Sequence, residues 1–85
     1  MDNEALRNKL NVMIAEQLGI SEQEVSRGYG GYGHTLENLG ADEYDIISLL
    51  MALSGEFGIS ISDEDAQTLD TPKAIYEYIL KQTKG

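Results

Sequence analysis

Three carboxylates and a phenol occupy four consecutive positions, Asp42-Glu43-Tyr44-Asp45, followed by a hydroxyl at Ser48 and a further carboxylate at Glu56. Such groups can accept hydrogen bonds, attract cations and anchor a contact. They do not make a catalytic set, which needs a nucleophile, a base in reach of it and donors for a developing oxyanion. His34, the single histidine, has no evident nucleophile or orienting partner. With no cysteine and no second histidine, a transition-metal site is not expected. Asp63-Glu64-Asp65 gathers three more carboxylates but lacks the spacing and glycine of an EF-hand, so it reads as a solvated, acidic helix start. Gly28-Tyr29-Gly30-Gly31-Tyr32-Gly33 has glycines without the lysine of a P-loop and does not lie between a strand and a helix. The residues predict neither an enzyme nor a metal site.

The elements that hold these groups can be read from apolar spacing. Leu6, Leu10, Met13, Ile14 and Leu18 recur at threes and fours, predicting a helix from Asn3 to Leu18 that Asp2 or Asn3 caps and Gly19 ends. Ser21 and Glu24 are spaced as a capping box, with Ile20 and Val25 placed as a hydrophobic staple, so one short helical turn is expected before the glycines. The stretch 28–34 should be a loop, either a recognition loop anchored by Tyr29 and Tyr32 or a tolerated insertion. Leu36 and Leu39 then return the chain to the core.

The second main helix should run from Asp42 or Glu43 to Phe57, with Asp42 as its cap and Ile46, Leu49, Leu50, Leu53 and Phe57 as its core face. Gly58 should close it, and Gly55 sits inside its last turn. Ile59 and Ile61 alternate with Ser60 in an extended connector. Ser62 or Asp63 should cap a short acidic helix reaching Thr68. Thr71 and Pro72 open the last helix, whose stripe is Ile75, Tyr78 and Ile79, and Lys81 and Lys84 suit its negative end. No segment alternates as a strand does, so the fold class is all-α: four helices, one of them short, with a long first loop.

At 85 residues the chain is expected to be one domain, residues 1–85, with one modest core. No apolar run approaches the roughly 20 residues of a membrane span, and Met1-Asp2-Asn3-Glu4 lacks a secretion-type apolar stretch. A cytoplasmic, monomeric protein without membrane insertion is the expectation. Fifteen acids against six bases give a net charge of −9, which disfavours nucleic acid and anionic membranes and favours partners with basic patches.

Several of these segments together resemble the acyl carrier protein family. Glu16-Gln17-Leu18-Gly19-Ile20 is similar to the end of that family's first helix, and Leu39-Gly40-Ala41-Asp42 to the approach to its attachment site. Leu50-Met51-Ala52-Leu53, Glu56-Phe57-Gly58-Ile59 and Ile61-Ser62-Asp63-Glu64-Asp65-Ala66 resemble later parts, with Ser62 where proline is usual. The resemblance implies a carrier-protein four-helix bundle with three main helices.

In that family a serine carries 4′-phosphopantetheine fourteen residues before the helix-ending phenylalanine. The resemblance puts Glu43 there, fourteen before Phe57, whereas Ser48 is only nine before it. It therefore implies a carrier-like protein that is not primed at the family position and needs no cofactor, with 4′-phosphopantetheine present only if another serine such as Ser48 is used. Ser48, Ser54 and Gly55 also stand where the family is usually acidic, while Asp42, Asp45 and Glu56 keep the acidic character. The implied role is interaction or regulation in fatty acid, polyketide or related acyl metabolism, through Asp42, Glu43, Tyr44, Asp45, Ser48 and Glu56. The alternatives are a specialised acyl carrier modified at another serine, or a non-covalent binder of an acyl chain. Glu43 has two readings: a favourable first-turn helix residue worth about 0.3–1 kcal/mol, or an imitation of the phosphodiester charge.

Overall fold

A computed structural model describes residues 3–26 and 35–84. The helices are α1 (Asn3–Leu18), α2 (Glu22–Ser26), α3 (Glu43–Phe57), α4 (Asp63–Ala66) and α5 (Pro72–Lys84), and no strand occurs among the described residues. Three main helices and an all-α bundle are as the sequence predicts. There are two short helices where the sequence count allows one, because the turn at Ser21–Glu24 is a helix in its own right. Ser21 Oγ accepts the Glu24 amide at 3.2 Å, the capping contact its spacing calls for. Val25, fully buried, then fixes α2 to the core.

α1 is the central element and packs against α2, α3 and α5. Leu6, Leu10 and Ile14 are its buried stripe, while Met13 and Leu18 are half-buried and packed against the core. Leu49, Leu50 and Leu53 enter from α3, and Ile75 and Ile79 from α5. Tyr78, expected in that last stripe, lies only partly inside. Asn11 of α1 is buried with its Oδ1 unpartnered, a polar cost among the apolar neighbours that the sequence stripe does not reveal.

Helix ends follow local chemistry. Gly58 adopts φ 64°, a left-handed conformation that costs side-chain-bearing residues energy, and its N–H donates to Ser54 O as α3 closes. Ser62 is the cap of α4, its Oγ accepting the Asp65 amide at 3.1 Å. α4 stops at Ala66 rather than Thr68, since the Thr68 amide bonds back three residues to Asp65 O (3.0 Å) in a tightening turn. Thr71 Oγ1 accepts the Ala74 amide at 3.0 Å, and Pro72 is buried at the first position of α5. The expectations for Asp2, for the loop 28–34 with Tyr29, Tyr32 and His34, and for the Asn3 and Lys84 side chains lie outside the described residues.

Candidate functional site

The start of α3 is held by a compact turn over residues 35–40. Thr35 Oγ1 accepts the Asn38 amide at 3.1 Å. Leu36 is fully buried, and its own amide donates to Asp70 O at 2.7 Å, tying this turn to the segment before α5. Ala41, also buried, donates back to Leu36 O at 2.9 Å. Between them Gly40 takes φ 104°, a conformation open to glycine and strained for other residues.

That turn delivers Asp42 in extended conformation as the N-cap of α3. Asp42 Oδ1 accepts the Asp45 amide at 2.8 Å, and Asp45 Oδ2 accepts the Asp42 amide at 3.1 Å. Two of the four orphan amides of a helix start are thereby satisfied reciprocally. Asp45 is half-buried in this exchange, so its carboxylate is committed to structure. Glu43, the first residue of α3, is exposed near the positive end of the helix dipole.

Of the six residues expected to meet a partner, Asp42, Glu43, Tyr44 and Ser48 are exposed, Tyr44 by 79%. Glu56 is exposed too, but Lys9 of α1 ion-pairs with it, and the same ammonium lies 5.5 Å from the Phe57 ring centre. Glu56 is thus turned to an internal contact at the far end of α3. Ser54 is likewise engaged, its hydroxyl donating to Ile59 O. Ser48 is the sixth residue of α3, away from the turn that precedes the helix.

Two surface residues were not in the expected set. Ile47 is 49% and Met51 71% exposed. With Tyr44 they recur at spacings of three and four, a second apolar stripe beside the core face. The spacing alone carries that signal.

A hollow of about 490 Å³ opens between α3 and α4, lined by Ile47, Leu50, Met51, Ile61, Ala66 and Asp63 among others. A second, also about 490 Å³, lies nearer the start of α3 and includes Glu37, Glu43 and Ile46. Both share Ile47, Leu50 and Ala66, so they abut along one flank of α3. Glu43, Ile47, Leu50 and Ser54 follow that flank at spacings of four, three and four.

α4 and the connector before it are tied to α5. The Tyr78 hydroxyl lies 2.9 Å from Asp65 Oδ2 and 3.1 Å from Ser60 O, both of which accept. Loss of solvent, then the bond to Asp65 and its negative charge, raise the phenol above its ordinary value of 10.0. One carboxylate of the Asp63–Asp65 run is therefore spent on packing. Among the described residues no group of three or more potential ligands gathers to hold a metal ion, and no helix is long and apolar enough to cross a membrane.

The fold and this site define a small helical bundle with a capped, exposed helix start and an adjoining groove. A match to the family described as phosphopantetheine attachment site spans residues 8–79. The chain is also 36% identical over 81 residues to an acyl carrier protein of Syntrophobacter fumaroxidans, covering 95% of each chain. The chain belongs to the acyl carrier protein family, whose members are carriers rather than enzymes.

Proposed function

We propose that Glu43 occupies the family's attachment position and that this chain is a carrier-like interaction module that is not primed there. The observation that supports this most directly is local. Asp42 caps α3, Glu43 is its first residue, and Phe57 ends it fourteen positions later, as the family's attachment motif requires. Phosphopantetheine is carried on a hydroxyl oxygen, and a carboxylate at residue 43 does not supply one. The residues at the helix start therefore do not fit the group. Ser48 offers an exposed hydroxyl, but it lies more than a turn inside α3 and outside the capping turn.

In this reading the surface does the work. Asp42, Glu43 and Tyr44 stand out at the helix start, Asp45 braces them, and Ser48 continues the exposed face. Partners are enzymes of acyl metabolism with basic patches, drawn by an acidic surface on a chain of net charge −9. The protein acts as one domain, as a monomer, in the cytoplasm. The carboxylate of Glu43 holds negative charge where a primed carrier would hold its phosphodiester, so Glu43→Gln should weaken partner binding.

Co-expression with a broad-specificity phosphopantetheinyl transferase, followed by intact mass, tests the central claim. No mass increment is the expected result. An increment overturns it, and fragmentation then identifies the modified residue.

A further inference from the structure

The exposed stripe of α3 ends in a thioether. Met51 is 71% exposed, whereas Met13, the other methionine among the described residues, packs half-buried against the core. Two neighbours keep the Met51 sulfur open. A side chain on a helix leans toward the N-terminus, so a residue four positions later lies over an earlier one. For Met51 that residue is Gly55, which has no side chain, and a Cβ built there meets nothing within 4 Å. Ser54, three positions later, turns its hydroxyl to Ile59 O. Met51 and Gly55 also line the same hollow, so open space and not packed protein lies beside the thioether.

We infer that Met51 is a site of reversible oxidation by peroxide, and that its sulfoxide turns the stripe of Tyr44, Ile47 and Met51 polar without unfolding the bundle. Hydrogen peroxide supplies the oxygen atom: its O–O bond breaks, the sulfur lone pair forms the S–O bond, sulfur loses two electrons and water leaves. A methionine sulfoxide reductase reverses the step. Its thiols supply two electrons and end as a disulfide, and the oxygen leaves as water. The chain has no cysteine, so no thiolate of its own competes for the oxidant. At an exposed position the new S–O dipole stays hydrated and leaves the core untouched. Covering it with an apolar partner surface strips that water and costs free energy. Met13 is the opposite case, since oxygen added there enters the core packing.

Oxidation of Met51 requires no partner and does not depend on Glu43 being unprimed. Its consequence for binding rests on the α3 face being the contact surface proposed above.

The test treats unmodified protein with hydrogen peroxide and follows the gain of one oxygen at each methionine by peptide mass mapping. Trypsin, cutting after Arg7, Lys9 and Arg27, leaves Met1, Met13 and Met51 on separate peptides. Met51 should oxidise at least about twofold faster than Met13, following exposure. Gly55→Leu, which lays a side chain over Met51, should slow Met51 at least about twofold and leave Met13 unchanged. Protein oxidised at Met51 should keep its circular dichroism and thermal midpoint. It should elute earlier from a phenyl hydrophobic-interaction column and regain its retention after a methionine sulfoxide reductase with dithiothreitol. Met51→Leu keeps the stripe apolar and should lose most of the retention shift at the same peroxide dose. The inference is overturned if Met13 gains oxygen as fast as Met51, or if Gly55→Leu leaves the Met51 rate unchanged. It is equally overturned if Met51 oxidation lowers the thermal midpoint, if the reductase fails to restore retention, or if Met51→Leu shows the full shift.

Discussion

Adding one methyl group to α3 and to the residue that closes it should have opposite effects. Gly55 lies in the helix with nothing within 4 Å of a Cβ built on it and without a positive φ. Gly55→Ala therefore meets no clash, and restricting the unfolded chain should raise stability by about 0.5–1 kcal/mol. Gly58, three residues on, also has open space around it, but its φ is 64°. Gly58→Ala forces an L-residue into the left-handed region, at a cost of about 1–2 kcal/mol. With a urea slope of about 1 kcal/mol/M for a small domain, the two midpoints should move up by about 0.5–1 M and down by about 1–2 M. In temperature, each kcal/mol corresponds to roughly 4–8 °C at this size. Circular dichroism in urea and on heating measures both. Shifts of the same sign, or a loss of stability in Gly55→Ala, would refute the assignment of backbone conformation as the controlling term.

Leu36→Ala should cost about 2–5 kcal/mol, since Leu36 is fully buried, and hydrogen exchange should show the 35–41 turn opening ahead of α3. Tyr78→Phe should remove about 0.5–1.5 kcal/mol by deleting the donor to Asp65 and Ser60. The raised phenol makes the wild-type contribution fully present below about pH 10 and lost as pH climbs through the higher folded value. A tyrosinate absorbance titration should accordingly lose a group titrating above the ordinary phenol value in Tyr78→Phe. Lys9→Gln should cost under about 1 kcal/mol, because its pair with Glu56 is largely solvent-exposed. The part due to that pair should vanish in a Glu56→Gln background, as a double-mutant cycle in urea will show.

The parts of the fold that the sequence discloses are those governed within a few residues. Asp42, Ser62 and Thr71 cap the helices they precede, and Gly58 closes α3, because each acts on amides or carbonyls one turn away. The same locality makes α2 readable as a capped turn, although counting helices by apolar stripe passes over a five-residue element with a single buried side chain, Val25. The site is less legible. Lys9 reaches Glu56 and Tyr78 reaches Asp65 across tertiary contacts that no spacing rule encodes. Ile47 and Met51 share periodicity with the core residues of α3, and only packing decides which of two adjacent stripes is covered. The shortfall of α4 by two residues reflects the ease with which a helix end tightens to three-residue bonds.

α1 meets both α3 and α5, and this sets the order in which the molecule can be completed. Ile75 and Ile79 lie sixty-nine or more positions after Leu6, so the contacts that seal α1 close a loop spanning most of the chain. During synthesis α1 emerges well before α5, so part of its Leu6, Leu10 and Ile14 stripe stays uncovered until α5 has been made. A nascent chain halted after α3 would keep part of that surface open to chaperones and proteases, so a pause before Pro72 acts on folding yield while leaving the finished protein unchanged.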